Sequence, residues 1–146
     1  MLAVVAGVLA AMCLGGGVVG YLVYDRATTP DRSAPDVVVD NYLRAFLIDR
    51  NDVRADLFTC EGASDFSAMH QLRDEIRQRE ANFGVVVRVS WGALLQSDTA
   101  GQQLVTTTLT ISSSSDGISR SSRREVWAFA VSDTASGWRV CSGRLV

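Results

Sequence analysis

The sequence has no lysine, one histidine, two prolines and three cysteines, and each scarcity excludes something. All basic residues are arginine, a usage that fits a GC-rich genome and says nothing about mechanism. The formal net charge of -2 gives no overall basic field to attract nucleic acid, so no nucleic-acid partner is expected. One histidine and three cysteines supply too few donors for most metal sites, and no metal or cofactor is expected. A single imidazole beside cysteines that suit a bridge also leaves no Ser/His/Asp or Cys/His arrangement. Disorder is excluded by a hydrophobic content of 47%, enough apolar surface to offset backbone entropy. At 146 residues the chain holds one ordinary domain, and it contains no internal repeat.

The longest stretch without charge is Met1 to Tyr24. As a helix it would span roughly 36 Å, enough to cross a hydrocarbon core of about 30 Å. Tyr21 and Tyr24 stand at one end, where amphipathic rings favour the water interface, and Asp25-Arg26 ends the run. A cleaved signal peptide would need a basic leading region and a small-x-small cleavage site, and neither is clear. A lipoprotein signal would need a small residue before the acylated cysteine, and Cys13 follows Met12. A single membrane anchor over residues 1–24 fits best. Gly16 and Gly20 form a small-xxx-small pair that would let two spans approach closely, although glycine is common in membrane helices anyway. The lack of a basic flank suggests that the native protein starts upstream. Residues 25–34 read as a linker.

Cys60 and Cys141 both lie in the remaining domain, residues 35–146. A pair there suits an oxidising, extracytoplasmic face, and a bridge would close a loop worth roughly 4.5 kcal/mol in the chain-entropy model. The alternative is two buried free thiols.

The domain begins with helical spacing. Ser33 is placed to cap a helix with Pro35 in its first turn, running from Val37 to about Asp49. Val38, Val39, Tyr42, Leu43, Phe46 and Leu47 make its apolar face, while Asp36, Asp40 and Arg44 recur as a polar stripe. Asn51-Asp52 restarts a short helix through Leu57-Phe58. Ser64 or Asp65 caps a third, to about Ala81, with Phe66, Met69, Leu72 and Ile76 inward and Gly84 just past its end. From Val85 the period changes to two: Val85, Val87, Val89 and Trp91 make a strand, with a bulge expected at Gly92. Asp98 to Gly101 turns the chain into a second strand holding Val105, Thr107, Leu109 and Ile111. Ser112 to Gly117 reads as a hairpin loop, Ser119 to Ser132 as a third strand, and Trp138 to Leu145 as a fourth. The expected fold is α+β, three helices packed on a curved four-stranded antiparallel sheet.

That order resembles the nuclear transport factor 2-like superfamily, the cystatin-like cone whose curved sheet wraps a long first helix. Two stretches carry the likeness. Val37-Val38-Val39-Asp40-Asn41-Tyr42-Leu43-Arg44-Ala45-Phe46 looks like the family's first helix. Trp127-Ala128-Phe129-Ala130-Val131 with Gly137-Trp138-Arg139-Val140-Cys141 looks like its closing hairpin. With an N-terminal span the chain is similar to membrane-anchored actinobacterial members. The superfamily includes ketosteroid isomerase and polyketide cyclases of the SnoaL type, so the resemblance implies a fold and leaves the function open.

Its enzymes place acids, tyrosines or histidines inside the cone. Here Asp40 reads as solvent-facing and paired with Arg44. Tyr42 stands on the apolar face, able to aim a hydroxyl into a pocket or simply to pack. His70 falls on the flank of the third helix, where a solvated pair with Asp74 is the plain reading. Tyr42, Phe46, Trp91, Trp127 and Phe129, with Trp138, are candidates to line an apolar pocket, or else to fill the core of a small domain. Arg120, Arg123 and Arg124 form a basic cluster, either facing an acidic partner or lipid headgroups or guarding a strand edge. The expected function is non-catalytic: a single-pass, extracytoplasmic interaction or assembly module of the cell envelope, docking on another envelope protein or a second copy. A small-molecule or lipid binder using the cone interior comes next, and an isomerase- or cyclase-like enzyme last.

Overall fold

The computed structural model describes residues 29–62, 64–99 and 101–146. The anchor expected over residues 1–24 lies outside them. Among the described residues no helix is long and apolar enough to cross a membrane. The packed unit begins at Asp31, upstream of the expected boundary at residue 35. Trp138 donates its backbone N–H to the Arg32 carbonyl at 3.0 Å, which holds the end of the expected linker against the domain.

Helix α1, Pro35–Leu43, continues into a wider turn, Arg44–Ile48. Pro35 supplies a pre-set φ where the helix has no use for an N–H. Ser33 is not its cap: Ala34 precedes the helix, and the Ser33 N–H is bound by Asp31 Oδ1 at 3.1 Å. The wide turn closes through Asp49 N–H to Arg44 C=O at 2.9 Å, one residue longer than an α-helical ring. It brings Ala45, Phe46 and Leu47 into the core together, where a 3.6-residue period would turn one of three successive side chains outward. Helix α2, Asp52–Asp56, is capped by Asn51, whose Oδ1 accepts the Arg54 N–H at 3.0 Å. Helix α3, Ser67–Phe83, starts where Asp65 Oδ1 accepts both the N–H and the hydroxyl of Ser67. It stops at Gly84, whose left-handed φ of 59° lets its N–H close on Glu80.

The strands are β1 (Val86–Trp91), β2 (Leu95–Thr99), β3 (Gln102–Ser115), β4 (Ile118–Thr134) and β5 (Gly137–Leu145). They form one antiparallel sheet in the order β1-β3-β4-β5, with β2 also paired to β3. The α+β class stands, with five strands where four were expected. β1 and β2 pair with successive halves of β3, so they are one edge broken at Gly92 to Leu94. β2 escaped the periodicity because every one of its residues is exposed. The expected loop over Ser112–Ser115 is also strand. These serines pair with β1 and β4, and the turn is only Asp116-Gly117, with φ of 52° and 74°, the doubly positive pattern of a two-residue hairpin.

The inward positions of the sheet, among them Val105, Leu109, Trp127, Phe129 and Val140, join Val38, Tyr42, Leu43, Met69 and Ile76 in one core. Cys60 and Cys141 sit at bridging distance, their Cα atoms 4.8 Å apart across 81 residues. Around that bridge Phe58 to Cys60, and again Asp65, lie alongside β5. Val140 N–H donates to Phe58, Cys60 N–H to Val140, Asp65 N–H to Cys141 and Gly143 N–H to Asp65, all between 2.8 and 3.1 Å. The outer edge of β5 is thereby covered.

Gly143 sits where the sheet presses on the core. A Cβ there would meet Phe129 Cε1 at 2.9 Å and Met69 Cγ at 3.0 Å, and both side chains are fully buried. Gly143→Ala is expected to destabilise the domain by about 1–3 kcal/mol through overpacking, read as a lower denaturant midpoint at unchanged slope. An unchanged midpoint would show that the Phe129 ring is free to move.

Candidate functional site

The aromatic candidates divide into four places. Trp127 and Phe129 stack in the core with centroids 6.5 Å apart and planes 20° apart. Trp127 turns its Nε1–H to Glu125 Oε2 at 3.1 Å. Trp91 is half-buried and donates its Nε1–H to Asp40 Oδ1 at 2.8 Å, pinning α1 to β1. Asp40 also pairs with Arg44 at 3.5 Å, as expected. The indole bond was not foreseen, because nothing in the sequence reports a contact across 51 positions. Trp138 packs against the rim of the core.

Tyr42 and Phe46 alone among the five pocket candidates line a shallow cleft. Its volume is about 370 Å³, and Asp52, Asp56, Phe66 and His70 also border it. Tyr42 lies between Phe46 and Phe66, at centroid distances of 5.5 and 5.1 Å. Its hydroxyl is buried with no hydrogen-bond partner, and burial pushes the phenol well above its ordinary pKa. His70 does not pair with Asp74. It sets its ring edge against Phe46, centroids 5.1 Å apart and planes 84° apart, since an aromatic edge meeting a ring face is favourable packing that an exposed ion pair does not outweigh.

Arg73 was not foreseen as part of this group. It is 6% exposed, its guanidinium lies 4.0 Å over the Phe46 ring, and it pairs with Asp52. The hydrogen bond from Arg73, with lesser coulombic help, holds the Asp52 carboxyl below the usual carboxylate range. The signal was present: Met69, Leu72, Arg73 and Ile76 are spaced i, i+3, i+4, i+7, so the buried stripe of α3 includes an arginine.

The arginine cluster at the start of β4 is also divided. Arg123 faces inward and is bound by Glu75 Oε2 at 2.7 Å and Glu125 Oε1 at 2.8 Å. Arg120 and Arg124 are exposed, and their guanidinium groups have no partner among the described residues. Three further carboxylates follow Asp52 downward: Asp65 through Ser67, Glu75 through Arg123, and Glu80 through Arg50, each pulled below the carboxylate range by a hydrogen bond. Among the described residues no group of three or more metal-ligating side chains is assembled.

No family model and no curated protein sequence matches the chain. A solved structure, the intermembrane space region of the chloroplast protein ARC6, is similar at a TM-score of 0.43 and 17% identity, over 80% of this chain and 96% of that one.

Two outcomes follow from this geometry. Tyr42→Phe is expected to leave the domain as stable or to raise its stability by up to about 1 kcal/mol, because it removes a buried polar group that has no partner. A clear loss in the unfolding midpoint would mean that the hydroxyl is held by a bond formed in solution. Glu80 is bound in a fork by Arg50 at 2.8 and 2.8 Å, and its lowered pKa contributes stability above the carboxylate range that is lost as pH falls through it. Glu80→Gln is therefore expected to be less stable than the parent at pH 7 and equal to it near pH 2, measured by urea midpoints at both. A constant difference at both pH values would contradict the linkage.

Proposed function

We propose that the protein is a single-pass membrane protein whose extracytoplasmic domain, of nuclear transport factor 2-like type, is a non-catalytic interaction module of the cell envelope. The observation that carries this reading is the filled interior. Tyr42, Phe46, Trp127 and Phe129 are each at most 3% exposed, so the rings that would line a cone-shaped pocket are spent on packing. The uncharged run over residues 1–24 supports the anchor. The Cys60–Cys141 pair supports an oxidising side of the membrane. An anchor suits a domain whose task is to stay beside a membrane partner.

A small-molecule binder is the second reading. The specific observation in its favour is the unpartnered Tyr42 hydroxyl at the cleft with Phe46, Asp52 and His70.

In-cell cross-linking of the full chain followed by native mass spectrometry of the detergent-extracted protein separates the two. The module reading expects a discrete cross-link to another envelope protein and an extracted chain carrying no stoichiometric small molecule. A retained compound, released on denaturation and lost in Tyr42→Phe, would overturn it in favour of the binder.

A further inference from the structure

The sheet protects its edges unevenly. β5 is covered by Phe58 to Cys60 and by Asp65. On β1 the outward N–H of Val87 is taken by Glu80 Oε1 at 3.3 Å. β4 differs. It is 17 residues long against 9 in β5, and pairing with β5 starts only at Trp127, opposite Leu145. The bond from Val146 N–H to the Val126 carbonyl, 2.9 Å, is the last on that side. Backbone groups alternate sides along a strand. The β3–β4 register is regular from Ser121 onward, so the N–H and C=O of Ser122 and Arg124 point the same way as the Val126 carbonyl, away from β3, and meet no partner among the described residues. A row of unmet donors and acceptors of this kind is a template for another strand.

The chemistry around the row selects the occupant. Ser122, Arg124 and Val126 share the outward face. The register sets Arg88 and Arg144 on outward positions of the neighbouring strands, in rows with Ser122 and Ala128. No outward position of the strands carries a carboxylate. Arg120, exposed like Arg124, stands at the irregularity near the hairpin. On the inner side of the same edge, Arg120 and Ser121 border a groove of about 530 Å³ with Arg79 and Phe83. A second copy of this chain is a poor fit. It would bring the same outward arginines and no outward carboxylate to meet Arg124, and like charges across a strand pair are destabilising.

We propose that the open edge of β4, from Ser122 to Val126, receives an extended acidic segment of a partner protein as an added strand. Main-chain bonds to Ser122 and Arg124 align it. A carboxylate on its outward face meets Arg124, and an apolar residue covers Val126 beside the exposed Val146. This assignment rests on the interaction-module reading and gives that reading a place and a partner chemistry.

The test uses the full chain in phospholipid nanodiscs and an end-blocked eight-residue peptide of alternating glutamate and valine, with a lysine–valine peptide as control. At saturating acidic peptide the amides of Ser122 and Arg124 are expected to exchange with solvent at least tenfold more slowly, while the lysine peptide leaves them unchanged. Arg124→Glu is expected to weaken binding at least tenfold. Ser122→Pro should abolish it, because it removes an N–H that no bond within the sheet uses. If Ser122→Pro fails to fold, an acidic peptide N-methylated on alternate residues replaces it with the parent chain and should not bind. Equal protection by both peptides, protection elsewhere, or binding that survives N-methylation would overturn the proposal. So would slow exchange at these amides that depends on protein concentration without peptide, which would assign the edge to a second copy. If the edge fails while the in-cell cross-link persists in Ser122→Pro, another surface docks the partner and the module reading stands. If the cross-link is absent from the parent chain as well, the module reading falls with it.

Discussion

The tie of Phe58 to Cys60 and of Asp65 to strand β5 sets most of what surrounds it. Its chain bonds and the Cys60–Cys141 pair join positions 81 residues apart, a closure that is entropically costly in the unfolded chain and therefore stabilising once cross-linked. One consequence is local: Asp65, held by Cys141 and Gly143, is the residue whose side chain orders the start of α3. Another concerns packing. Gly143 is drawn against Phe129 and Met69 so closely that no side chain fits between them, which fixes the spacing of sheet and helix at the centre of the core. A third is topological, because β5 is closed as an edge and only the overhang of β4 is left uncovered on that side.

Within this frame the interior tolerates some polar groups better than others. Arg73 lies almost fully buried, yet its charge is met from one side by the Phe46 ring and from the other by Asp52. A cation over an aromatic face is attracted by the ring quadrupole, and the Asp52 carboxylate remains in contact with water, so the pair avoids full desolvation of both charges. The Tyr42 hydroxyl has no such compensation. Its ring is held by Phe46, Phe66 and Phe129, and aromatic packing outweighs the unmet hydroxyl, whose desolvation costs about 1–3 kcal/mol.

How much of this could be read beforehand depended on whether burial left a period in the sequence. The face of α1 was legible because Val38, Val39, Tyr42, Leu43, Phe46 and Leu47 follow a helical repeat, and all six are buried. The wide turn was not, because adding one residue to a turn leaves the neighbouring spacing almost unchanged. β2 was invisible since Leu95 to Thr99 is wholly exposed, and an exposed edge segment needs no alternation. The serines of β3 looked like a loop by composition. They are strand because β1 and β4 flank them on both sides, and pairing overrides weak intrinsic preference. At the cleft, Tyr42 and Phe46 came from the helical repeat, while the His70 ring contact and the Trp91–Asp40 bond depend on tertiary placement that spacing does not encode.

The uncovered edge belongs to a different class, since its origin is a length mismatch that the sequence does carry. The strand expected over Ser119–Ser132 is much longer than the one over Trp138–Leu145, and a hairpin joins them through Asp133 to Gly137. Counting back from that turn, the shorter strand ends opposite the middle of the longer one. The first half of β4 must then either be trimmed, covered or left open. Nothing among the described residues covers it in the plane of the sheet. Trimming would shorten the β3–β4 ladder that also supports β1. The chain keeps the overhang and places Arg120 and Arg124 along it. Those charges oppose self-pairing, yet they leave the backbone groups themselves unmet. An edge that repels its own copy and still offers free main-chain bonds discriminates by charge: it rejects basic strands and admits acidic ones.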